Sequence, residues 1–115
     1  MDPGAPAAAV YDRKATVTST AFISHSDCQL HDMGSYHPET PERLHAISDH
    51  MIAQGLDSYF SYHEAPLATF QQLKRVHTAA HLERLKRAAP ELGIVHLDPD
   101  TAMNRYTWQA ALRAA

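Results

Sequence analysis

The chain has 115 residues, 44% hydrophobic and 20% charged, with 10 Lys and Arg against 13 Asp and Glu for a formal charge of −3. That is the size and composition of one small globular domain, without the basic excess that marks a nucleic-acid or anionic-membrane surface. A single cysteine excludes an internal disulfide and a cysteine-built zinc knuckle, and no apolar run approaches the ~18 residues of a membrane span. A reducing, cytoplasmic setting is therefore the expectation, with no membrane and no nucleic acid as partner. Nine histidines stand out. Histidine is the commonest metal ligand and titrates near neutral pH, so the count raises a metal hypothesis.

Residues 1–17 hold Pro3, Gly4 and Pro6 among alanines and read as a flexible leader. Ala5–Val10 is apolar, but short and without the charged flank of a secretory signal. The β-branched run Thr16–Ser24 predicts a buried strand, near 18–24. His25–Thr40 is polar, contains Gly34 and Pro38, and reads as a long loop of the kind that carries function. Thr40 and Pro41 suit the N-cap and first position of a helix over 41–54, with Leu44, Ile47 and Met51 on its buried face and Gly55 as its stop.

Aromatic-rich Ser58–Glu64 predicts a second strand, ended by Pro66. Thr69 and Gln72 fit a capping box opening a short helix through Leu73. A further helix is expected over 79–88, with Leu82 and Leu85 on one face and Pro90 beyond it. Gly93–Leu97 reads as extended and Asp98–Thr101 as a turn. Thr107–Ala115 predicts a last helix capped by Thr107. It closes without glycine or polar tail, and the expectation is a chain cut inside a helix.

The densest polar segment runs from His31 to Leu44 and joins two imidazoles, three carboxylates, hydroxyls and Arg43 at a helix start. A stiff polar loop feeding a helix N-terminus suits the wall of a binding site. A cation near that end of a helix opposes the macrodipole, so Arg43 needs a partner. By composition, the plainer reading is a surface loop whose arginine pairs with Asp or Glu. His77 and His81 have the i, i+4 spacing of a metal-binding pair, but Thr78 replaces the glutamate of H-E-x-x-H. His77 also precedes the N-cap, so the two rings need not share a face. Cys28 lacks the flanking signature of a nucleophile, and no G-x-S-x-G, P-loop or G-x-G-x-x-G is present.

HDMGSYHPETPERLHAI (His31–Ile47) resembles the N-terminal signature of the histone deacetylase superfamily, in particular its bacterial acetylpolyamine amidohydrolase and acetoin-utilisation branch. TAFISH (Thr20–His25), LKRVHTAAHLERL (Leu73–Leu85) and HLDPDTAMNRYTWQAALRAA (His96–Ala115) agree in order and spacing, so the likeness covers residues 18–115. The resemblance implies an α/β chain, the N-terminal part of an arginase-like three-layer α/β/α fold. It implies a zinc-dependent amide hydrolase acting on acetyl-lysine or acetylated polyamines. In the family the paired histidines and the Asp, His and Asp zinc ligands lie beyond the helix that Thr107–Ala115 begins. No His-His pair and no D-x-H motif occurs here. No catalytic and no metal residue is therefore expected in this chain, and no activity from it alone.

Two positions carry over from the resemblance. Arg43 matches the arginine of the P-E-R segment, which in relatives lies at the foot of the pocket. Asp98, or equally Asp100, matches an acidic residue on the pocket rim. The loop through His37 is expected to line the pocket entrance, or else His37 and Glu39 fix the loop onto the helix. Two non-enzymatic alternatives stand beside this reading. One is a truncated relative that binds a partner or self-associates through its unfinished sheet. The other is a small histidine-rich metal-binding module.

Overall fold

The computed structural model describes residues 19–115, so the leader and the start of the first predicted strand lie outside the described residues. Strand β1 (Thr20–Ser24) pairs in parallel with β2 (Phe60–Glu64), from Thr20 opposite Phe60 to Ser24 opposite Glu64. Parallel strands need a crossover, and helix α1 (Glu42–Ala53) lies within it. Side chains alternate across a strand, so Phe22, Phe60 and Tyr62 gather on one face. Their ring centroids lie 5.4 to 6.1 Å apart, and such pairs add about 0.5–1.5 kcal/mol beyond burial. The opposite face explains why β1 is not the buried strand the sequence predicts. Ile23 is 64% exposed there, because no described element covers it.

The long loop is not structureless. Ser26–Gln29 forms a 3-10 turn capped by His25, whose ring nitrogen accepts from the Asp27 N–H. α1 starts one residue later than expected, and Thr40 does not cap it. The reason is local. The Arg43 N–H, which a Thr40 cap would accept, already donates to the Thr40 carbonyl at 3.2 Å. At its other end Gly55 takes φ +71°, and the Leu56 N–H reaches the Met51 carbonyl at 2.9 Å, the Schellman closure that glycine permits. The expected buried face of α1 is only half covered: Leu44 and Met51 are half-buried and Ile47 is exposed.

A 3-10 turn (Asp57–Tyr59) leads into β2. Helix α2 (Phe70–Leu73) opens on the expected capping box, with Thr69 and Gln72 each accepting the other's backbone N–H. Helix α3 (Ala79–Ala88) is capped by Thr78 and buries Leu82. The extended segment after Gly93 is half of a hairpin: β3 (Val95–Asp98) pairs antiparallel with β4 (Thr101–Met103), with a bulge between His96 and Asp98. Helix α4 (Thr107–Ala114) packs on the first 3-10 turn. Thr107 does not cap it. Its hydroxyl is engaged with Asn104 and His31 instead. Among the described residues the buried apolar set is Ala65, Leu82, Ala102, Met103 and Ala110. No helix is long and apolar enough to cross a membrane.

Candidate functional site

The polar loop folds onto the β3–β4 hairpin and the start of α4 through side chains rather than through a sheet. Gly34 turns it at φ +112°, with its N–H held by the Asp32 carboxylate at 2.9 Å. His37 is the clip. Its Nδ1 accepts from the Glu39 N–H at 3.1 Å, so that nitrogen carries no proton, and Nε2–H donates to the Asp100 carbonyl at 3.0 Å. The Ala102 N–H points at the Met33 sulfur at 3.2 Å. His31 has the other tautomer. The Thr107 hydroxyl donates to Asn104 Oδ1 and therefore accepts from His31 Nδ1–H at 2.7 Å, while Asn104 Nδ2 donates to the Leu30 carbonyl.

A cavity of about 400 Å³ lies between these parts, walled by His31, Met33, His37, Asp100, Met103 and Trp108 among others. His37 and Asp100 are thus brought together. Asp98 is turned away from this role, since its Oδ1 closes the hairpin turn by accepting the Asp100 N–H at 2.8 Å. Arg43 sits outside the cavity wall. It is exposed and pairs at 2.9 Å with Glu39, four residues earlier in the loop, which satisfies the cation as the plainer reading of the sequence expected.

A second polar centre lies at the carboxyl ends of the parallel strands, where α/β folds place their sites. Asp27 accepts from Arg113 Nε at 2.9 Å and from Gln109 Nε2 at 3.3 Å, and Arg113 also donates to the Ala65 carbonyl just past β2. The Arg113 hydrogen bond holds the Asp27 carboxyl below the usual carboxylate range. Partial burial opposes the shift and Gln109 adds to it. His25 Nδ1, which accepts the Asp27 N–H, lies 3.4 Å from the same carboxylate and adds a smaller lowering. The neighbouring recess of about 880 Å³ is lined by Ser24, His25, Cys28, Ile47, Arg75 and Arg113 among others. The Asp27–Arg113 pair was missed in the sequence because its members stand 86 residues apart and no local spacing announces them.

Among the described residues no three His, Cys, Asp or Glu side chains are placed to hold a metal ion. His25, His31 and His37 serve backbone and hydroxyl groups, and Cys28 Sγ faces the Ala110 carbonyl at 3.8 Å. The described residues do not fit a three-ligand zinc centre. The sequence-level objection to the His77–His81 pair is overturned, because the two rings do share a face, with centroids 5.4 Å apart.

No curated protein sequence matches the chain. Among solved structures it is similar to the crystal structure of the HDA15 HD domain, with a TM-score of 0.72 and 28% sequence identity over 84% of this chain. The match spans 29% of that chain. The β1–α1–β2 unit with its following helices is thus part of an α/β, deacetylase-like fold. The sequence model of the histone deacetylase domain matches residues 37–115, beginning at the histidine that clips the loop to the hairpin, and the chain belongs to that family.

Proposed function

We propose that this chain is the N-terminal segment of a zinc-dependent deacetylase that hydrolyses acetyl-lysine or acetylpolyamine amides, from the bacterial acetylpolyamine and acetoin-utilisation branch. The family match over residues 37–115 carries the reading. In it, the chain builds one wall of the substrate entrance. His37 is a positioning residue that holds the loop against the hairpin turn. Asp100, at the cavity edge, offers a carboxylate to an amide N–H or an ammonium of the substrate. Asp98 supports it by fixing the turn. Arg43, which pairs with Glu39 outside the described cavity, is assigned to the foot of the pocket that the rest of the domain would complete. A zinc ion, where the complete family domain holds one, would supply polarisation of the amide carbonyl and activation of water. No three described side chains are placed to hold such an ion, so no bond-breaking step is given to this chain.

The test is to read the coding DNA past codon 115 and to assay both the encoded product and the 115-residue chain on an acetyl-lysine peptide and an N-acetylated diamine. We expect zinc-dependent turnover by the longer product and none by the chain alone. Stoichiometric turnover by the purified chain, or a stop codon directly after Ala115, overturns the proposal.

A second reading, a self-associating module without activity, has its own support. Ile23 and Tyr62 on the paired strands are 64% and 57% exposed, and Val76 and Leu92 are 84% and 81% exposed. Apolar surface of that kind favours association. Sedimentation showing a clean monomer with cooperative unfolding removes this reading.

A further inference from the structure

We infer that His77 and His81 form a two-histidine chelating site for a late first-row divalent ion, Cu2+ foremost, on the entry turn of α3. Thr78 is extended, at φ −72° and ψ 151°, and its side chain accepts the His81 N–H at 3.1 Å. An extended cap swings the preceding side chain back over the first helical turn, the geometry that lets a residue before the cap meet the helix. His77 therefore lies over His81 although it stands outside the helix.

The separation suits one ion. Two imidazoles bound to a single tetrahedral centre, each with a metal–nitrogen bond of ~2.0–2.1 Å, have ring centroids about 5 Å apart. Here they are 5.4 Å apart and inclined by 33°. His77 is exposed, and its one hydrogen bond to the described residues is through its backbone N–H, to the Leu73 carbonyl at 3.0 Å, so its ring nitrogens are open to an ion. His81 Nδ1 accepts from Arg84 at 2.8 Å, which leaves Nε2 as its ligating atom. No third protein ligand is present among the described residues, so water or a bound small anion completes the coordination. Affinity is greatest for Cu2+ by the ordering of first-row metals and falls through Ni2+. Arg84 and the positive end of α3 oppose a cation and restrain the affinity. The site is separate from the cavity under the polar loop, whose wall includes neither histidine.

Chelation differs from binding by separate histidines in one measurable respect. When two ligands grip one ion, losing either removes the advantage of both. The experiment titrates Cu2+ into the full chain and into His77→Ala, His81→Ala and double variants, following binding by calorimetry and ligation by paramagnetic resonance. The expected result is one strongest site with two imidazole nitrogens. Each single variant weakens it at least about tenfold, and the double variant is no weaker than either single. Unchanged binding in either single variant, or independent and additive losses, overturns the inference. So does loss of the strongest site on replacing His45 and His50 instead. His77 is exposed and His81 half-buried, and His77→Gln and His81→Gln provide a second pair should an alanine variant alter the helix content.

Discussion

At the scale of single residues, most of the polar chemistry is spent on holding segments together. His37 uses both ring nitrogens, one on the Glu39 N–H and one on the Asp100 carbonyl. Asp98 spends its carboxylate on the turn, which separates it from Asp100 where the sequence left the two equivalent. The ionisation of Asp27 is coupled to folding through Arg113. Arg113 lowers its pKa in the folded chain, so the pair adds stability above the ordinary carboxylate value, about pH 3.9. That stability is lost as the pH falls through the lower folded value. Denaturation midpoints measured from neutral pH to about pH 2.5 should show this acid loss. Asp27→Asn should be less stable at neutral pH and should flatten the acid limb. An unchanged acid limb in the variant refutes the assignment.

At the scale of elements, local signals were most dependable where one side chain meets one backbone group. The Thr69–Gln72 box, the Thr78 cap and the Gly55 stop all stand where their residue types predict. Thr69→Ala and Thr78→Ala should each cost about 1 kcal/mol, read from urea midpoints at unchanged slope. Thr78→Ala should also loosen the His77–His81 arrangement. Local reading failed where another segment claimed the same group. Thr40 lost its capping role to a backbone carbonyl, and Thr107 lost its own to Asn104 and His31. Strand β4 was missed because it has only 3 residues and exists through pairing with β3 across an Asp-Pro-Asp turn. Register of that kind has no periodic signature in so short a run.

At the scale of the molecule, the buried set is small: four of its members are Ala or Met, and Leu82 is the one large branched side chain among them. Leu82→Ala should cost about 2–5 kcal/mol, a large share of the total for a domain whose stability is marginal. Thermal or urea denaturation checks it, and a loss well under 1 kcal/mol would mean that Leu82 packs less tightly than its 2% exposure indicates.

The sequence by itself determined the alternation of strands and helices, the caps at Thr69 and Thr78, and the polar loop leading into α1. Each of these rests on residues within a few positions of one another, where backbone geometry limits the outcomes. It also carried the family likeness, because that lies in an ordered string of residues. Only the tertiary structure decided which histidine bonds to what, that Asp100 rather than Asp98 edges the cavity, and that Arg43 stays outside with Glu39. Tertiary structure also set Asp27 against Arg113 and laid His77 over His81. These are pairings of directed groups at a distance of a few ångströms. Composition and spacing supply the partners, while the fold alone sets the distance and the angle on which a hydrogen bond, an ion pair or a chelate depends.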